Sequence, residues 1–91
     1  MKATSTLRAL CQPTLKANQL SIHPNDGFDL GMMTTGYDVD LDGVGPYYIK
    51  LLNECPKECV ELPPKLFEKY GKPTHAILKY DGAKLFIEPR R

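Results

Sequence analysis

The chain has 91 residues, near the small end of what folds by itself, so we expect a single domain over residues 1–91. Hydrophobic residues make up 42% of the chain and charged residues 25%, a composition that excludes an intrinsically disordered protein. Eight prolines and seven glycines favour many short elements over a helical bundle. We therefore predict the α+β fold class: a small β-rich domain of short antiparallel strands and hairpins with one or two short helices.

Hydropathy and charge limit the possible locations and partners. No apolar run approaches the length of a transmembrane span, and residues 1–10 lack the apolar core of a signal peptide, which predicts a cytoplasmic protein with no membrane partner. The net charge of +1 is unevenly spread, because residues 1–45 form an acidic half of net charge −2 and residues 46–91 a basic half of net charge +3. This asymmetry favours self-association, or opposite faces for different partners.

The N-terminal half is predicted to hold a short helix, a hairpin and a strand. A helix is expected over residues 4–11, and strands over 20–22 and 28–32 are expected to flank a turn at His23–Gly27. Alternation of apolar and acidic residues over 37–42 predicts a half-buried strand. No internal repeat, linker or low-complexity segment is evident.

The acidic positions of that last strand are Asp38, Asp40 and Asp42. Together with Gly43 they match the start of a calcium loop, but the twelfth position is Ile49 instead of a bidentate Glu. The same row of carboxylates could meet a basic partner protein, or could keep an edge strand from pairing with other chains.

The C-terminal half contains the clearest element signals. Strands are predicted at Tyr47–Leu52 and Cys59–Leu62, and Pro63-Pro64 is expected to open a short helix that Gly71 ends. The buried stripe of that helix is predicted to hold Leu66, Phe67 and Tyr70, and its exposed side Lys65, Glu68 and Lys69.

Asp81-Gly82, between two apolar runs, predicts a hairpin with a two-residue type I′ turn. The resulting register places three apolar pairs on one face: Tyr80 with Ala83, Leu78 with Leu85, and Ala76 with Ile87. The other face would hold the pairs His75 with Glu88, Ile77 with Phe86, and Lys79 with Lys84. We expect that second face to be partly covered, by the N-terminal half or by a second copy of the chain.

This series of elements resembles the AbrB/MazE swapped-hairpin domain over residues 48–89. The resemblance implies a dimeric DNA-binding regulator or antitoxin. It departs from the family before Leu62-Pro63, where residues 53–58 lack the usual Gly and basic residues, and after Gly71, where the connecting stretch is shorter. The matching residues are Val60, Leu62, Pro63, Leu66, Glu68, Lys69, Gly71, Asp81, Gly82, Leu85, Ile87 and Pro89.

The chain shows no nucleophile–base set, which argues against an enzyme and predicts neither a cofactor nor a small-molecule substrate. Three residues separate Cys55 from Cys59, where a zinc knuckle has two, and no second pair exists, so we expect free thiols and no metal site.

Two hypotheses of function follow. The first is a homodimeric regulator or antitoxin-like protein that binds DNA. Its predicted backbone contacts are Lys50, Lys57, Lys65, Lys79 and Lys84, with Lys69, Lys72, Arg90 and Arg91 as further candidates. The alternative is an inhibitor or adaptor, of the kind encoded by phages and mobile elements, that binds a host protein through Asp38, Asp40 and Asp42.

Overall fold

The computed structural model describes residues 1–91 and contains eight strands and two short helices. Strands hold 45% of the residues and helices 13%. In chain order the elements are β1 (Lys2–Ala3), β2 (Leu7–Cys11), β3 (Gln19–Ile22), α1 (Pro24–Asp29), β4 (Gly36–Leu41), β5 (Gly45–Leu51), β6 (Cys59–Leu62), α2 (Pro64–Lys69), β7 (His75–Tyr80) and β8 (Lys84–Arg90).

Seven strands close into a barrel in the order β7-β2-β6-β3-β5-β4-β8, and β8 pairs back to β7. The short β1 precedes β2 along the same side of β7. The predicted α+β class is therefore wrong, since the molecule is a mostly β barrel with two short helices. The error begins at residues 4–11, which were expected to be helical. Leu7–Cys11 instead forms β2, which pairs in parallel with β6 and antiparallel with β7.

The two halves of the chain follow the same plan, which the sequence analysis missed. Each residue of the first half corresponds to the residue 40 positions later in the second half. The pair Arg8 and Cys59 between β2 and β6 thus corresponds to the pair Tyr48 and Gln19 between β5 and β3. Few identities mark the repeat, among them Pro24/Pro64 and Gly31/Gly71. Seven of the eight strand pairings join one half to the other, and only β7–β8 lies within a half.

The core is a single cluster of 17 buried hydrophobic residues inside the barrel. The apolar face predicted for the β7–β8 hairpin is confirmed, because Leu78 and Leu85 are both 0% exposed. The predicted pairing is wrong by two residues, and Tyr80 lies opposite Leu85. The reason is the loop: Asp81 Oδ1 accepts the backbone N–H groups of Ala83 (2.9 Å) and Lys84 (2.6 Å), which closes a longer turn than type I′. A shift of two keeps each side chain on its face.

The two helices sit at equivalent places in the two halves. Helix α2 is confirmed, with Leu66 buried and Gly71 ending it at a φ of 78°. Of the hairpin predicted at residues 20–32, the first strand is confirmed as β3. The turn and the second strand are wrong, because Pro24–Asp29 forms α1 and Phe28 is 64% exposed. The strand predicted at residues 37–42 is confirmed as β4. Neither helix has the length and apolar character needed to span a bilayer.

Candidate nucleic-acid interface

A row of cationic and imidazole side chains crosses three neighbouring strands of the barrel wall. Arg8 on β2 is paired with His75 on β7, and His75 is paired with Arg90 on β8. Arg8 and His75 point outward because their strand neighbours Leu7 and Ala76 are buried, and Arg90 does so because it alternates with the inward-facing Ile87. Paired strands lie about 4.8 Å apart. The barrel therefore fixes the backbone positions of these three residues side by side, and we call the three residues the basic row.

The chain around the basic row adds further cations. The Arg91 guanidinium donates a hydrogen bond to the carbonyl of Gly71, which anchors the C-terminus beside the end of α2. Thr74 donates its backbone N–H to the Arg90 carbonyl at 3.2 Å, and this places the exposed Lys72 close to the row. Residues 65–91 hold seven Lys/Arg against three Asp/Glu, an excess of positive charge that is spread over α2, β7 and β8.

Two of the five predicted DNA-contacting lysines are engaged within the protein. The Lys79 ammonium lies 2.5 Å from Glu88, and hydrogen bonding to this lysine holds the pKa of the Glu88 carboxyl below its usual range. Lys84 lies 3.8 Å from both Asp40 and Asp42. The predicted Lys79–Lys84 pair is wrong, because Lys79 faces Phe86. Both lysines are thus paired within the protein. Glu88 also lies 3.3 Å from Arg90, so Lys79 and the Arg90 of the basic row share one carboxylate.

The other three predicted lysines form no salt bridge and lie at different places. Lys57 is exposed and precedes Glu58, whose carbonyl accepts the Arg8 N–H, so it lies next to the basic row. Lys65 is on the exposed side of α2. Lys50 lies on β5 next to its pairing partner Ser21, and these strands are across the barrel from the basic row. The structure therefore brings Lys57 to the basic row but does not gather all five lysines into one surface.

Asp38 and Asp40 point outward from β4, and Asp42 follows in the turn. Asp38 forms no salt bridge, whereas Asp40 and Asp42 share Lys84. No group of three or more His, Cys, Asp or Glu side chains is placed to hold a metal ion. The acidic residues were also considered as protection of an edge strand. At Asp40, however, β4 is paired on both sides and is not an edge.

The cysteines and His75 do not form a reactive centre. Burial raises the pKa of the Cys55 thiol to about 12, so this group remains protonated and unreactive near neutral pH. Cys59 is also buried, while Cys11 is exposed, and all three thiols are free. The predicted His75–Glu88 pair is wrong, because Glu88 faces Ile77.

A cleft of about 400 Å³ opens on the outer surface, further along β8 from the basic row. Phe86 faces outward here and is half-buried without packing against the core, and the half-buried Tyr70 reaches the cleft from the residue that ends α2. The lining residues are Met1, Asp42, Tyr70, Lys79, Phe86, Ile87 and Glu88.

Comparisons of the chain with protein-family models, curated proteins and solved structures gave no significant match. The resemblance to swapped-hairpin regulators therefore stays a prediction.

Sequence reasoning missed Arg8 and His75 as members of a common surface. Arg8 was assigned to a helix, and His75 was placed opposite Glu88 by the two-residue error in register. The only available signal was alternation over residues 7–11, in which Leu7 and Ala9 are buried and Arg8 is exposed.

Proposed function

We propose that the protein is a non-enzymatic cytoplasmic regulator that binds nucleic acid, DNA in the first instance, through its phosphate backbone. The observation that carries the proposal is the basic row of Arg8, His75 and Arg90 on three adjacent strands. The barrel fixes the backbone positions from which the Arg8 and Arg90 side chains extend, so the spacing between these two strands is set before the ligand arrives. Contacts of this kind release counterions, which makes affinity depend steeply on salt.

The test is a titration of labelled DNA by fluorescence anisotropy at several salt concentrations. Arg8→Ala should weaken binding and reduce the slope of log affinity against log salt by about one, the value for one lost phosphate contact. Lys16→Ala is the matched control, because this exposed lysine lies in the loop before β3 and is equally a loss of one charge. No binding at low salt, or equal effects of the two substitutions, would overturn the proposal.

The stoichiometry of the complex is open to the same experiment. The apolar face of the β7–β8 hairpin is covered within one chain, so the barrel does not need a second copy to bury it. Light scattering with and without DNA then measures whether one or two chains occupy each site, and two chains would support the homodimer implied by the family resemblance.

The second candidate is an inhibitor or adaptor that binds a basic partner protein through the acidic side of β4. Asp38 favours it, because this exposed carboxylate has no cation within salt-bridge distance. In the DNA titration Asp38→Asn should leave affinity unchanged or slightly higher, since it removes only a repulsive charge. A loss of DNA affinity would instead place Asp38 in the nucleic-acid interface.

A further inference from the structure

The cleft beside Phe86 has the size and lining of a site for one flat ring. Its volume of about 400 Å³ is at the small end of ligand pockets. Phe86 and Tyr70 give it two aromatic side chains, and Met1 adds a flexible apolar one. Phe86 is half-buried and points away from the core, so its ring lines the outer surface and does not fill the barrel.

The polar groups of the cleft fit the edge of a nucleobase. Asp42 supplies carboxylate oxygens that accept hydrogen bonds, and the Tyr70 phenol supplies a hydroxyl that can donate. Burial, and then the nearby Asp42, raise the pKa of Tyr70, which keeps that hydroxyl protonated. Bases carry both exocyclic donors and ring acceptors, so a carboxylate and a hydroxyl together can satisfy them.

The cleft and the basic row lie on the same face of one strand. Phe86, Glu88 and Arg90 all point outward from β8, and four residues of strand span about 13 Å. The intervening Glu88 is neutralised on both sides, since it pairs with Lys79 and also lies 3.3 Å from Arg90. A chain of nucleotides can therefore run from the row to the cleft without crossing an unpaired negative charge.

We propose that this cleft takes one unpaired base, so that the nucleic acid held by the basic row is single-stranded. The inference rests on the proposed function. The basic row alone could contact the phosphates of either form, but a base inside a duplex is stacked and paired and cannot enter the cleft unless it is flipped out. Aromatic side chains beside cations are instead typical of single-strand binding.

The experiment compares labelled oligothymidine with a duplex of the same length at low salt, using the whole protein. Oligothymidine should bind more tightly than the duplex. Phe86→Leu should weaken oligothymidine binding roughly tenfold, the size of effect expected for one stacked base, because leucine keeps the apolar cover but removes the aromatic face. Phe28→Leu is the matched control, because Phe28 is 64% exposed on α1 and does not line the cleft.

Circular dichroism of both variants tests whether each retains the wild-type fold. If Phe86→Leu disturbs it, an oligomer with one abasic site on the wild-type protein replaces the variant and should bind more weakly than the intact oligomer. Equal or tighter binding of the duplex, or an unchanged affinity in Phe86→Leu, would overturn the inference while leaving the proposed function standing. Failure of Arg8→Ala to weaken any of these oligonucleotides would remove the proposed function itself.

Discussion

Asp26 shows how a residue that signals a turn in the sequence is used differently in the fold. It lies in α1, is only 4% exposed, and its carboxylate accepts the backbone N–H of Glu58 at 2.9 Å. The equivalent residue in the second half is Leu66, which is buried against the core. An acidic side chain thus occupies an apolar position and ties α1 to the start of β6.

Burial raises the pKa of Asp26, although the hydrogen bond from Glu58 opposes that effect. The native state therefore holds this proton at pH values where the unfolded chain has released it. The free energy of unfolding should fall as pH rises from the unfolded value, about pH 4, through the folded pKa.

Asp26→Asn should remove this pH dependence. The amide imitates the protonated acid and keeps an oxygen for the Glu58 N–H, so the variant should be more stable than wild type at neutral pH and equal to it below about pH 4. Urea unfolding at both pH values measures the difference. The exposed Asp38→Asn is the control and should show no such pattern. A variant less stable than wild type at neutral pH would mean that the charged form of Asp26 stabilises the fold.

At the scale of elements, most local features of the C-terminal half could be predicted. In the N-terminal half β3 and β4 could be predicted, whereas β2 and α1 could not. Pro63-Pro64 and Gly71 mark the ends of α2 by their own backbone preferences, so no tertiary information was needed. Residues His23–Gly27 favour a turn by their local preferences, but in the structure they form the cap and first turn of α1. His23 caps it through its ring Nδ1, which accepts the Asn25 N–H at 3.0 Å.

Gly27 explains why local preference failed in α1. It is buried where the helix meets β5, and an added Cβ would overlap Leu51 Cδ2 and lie 3.0 Å from Leu51 Cγ. A glycine that weakens an isolated helix is therefore the residue that lets this helix approach the barrel. The sequence cannot show this, because Gly27 and Leu51 meet only in the folded molecule.

Gly27→Ala separates the two effects. Helix propensity favours alanine by about 1 kcal/mol, whereas overpacking of a core position costs about 1–3 kcal/mol. We expect packing to prevail, with a net loss of up to about 2 kcal/mol in the free energy of unfolding. Asp29→Ala, at an exposed position of the same helix, should be neutral or stabilising. Chemical denaturation of both variants provides the measurement, and a Gly27→Ala protein more stable than wild type would contradict the contact with Leu51.

At the scale of the whole molecule, closure of the barrel decides which surfaces exist. Arg8 and Arg90 are 82 positions apart in the chain and are brought together only because both β2 and β8 pair with β7. Likewise the acidic and basic halves do not form separate bodies, since β4 lies between β5 and β8. Individual strands could be predicted from the alternation of apolar and polar residues. The basic row could not, because it depends on which strands pair, and alternation does not encode that pairing.

Interleaving of the halves predicts that neither folds alone. Strands β1–β4 make every one of their pairings with strands of the other half, and within the second half only the β7–β8 hairpin pairs with itself. An isolated hairpin is marginal in water, so both fragments should lack a cooperative transition. A cut between Gly43 and Val44 suits the test, because both residues are exposed in the turn that joins β4 to β5.

Mixing fragments 1–43 and 44–91 should restore the barrel as a one-to-one complex. The mixture should recover the circular dichroism of the intact chain and unfold in one transition whose midpoint rises with fragment concentration, because association is then coupled to folding. Fragment 1–43 alone, at the same total concentration, is the control and should stay unfolded. Cooperative unfolding of either fragment by itself would contradict the interleaved topology, because that half would then contain a core of its own.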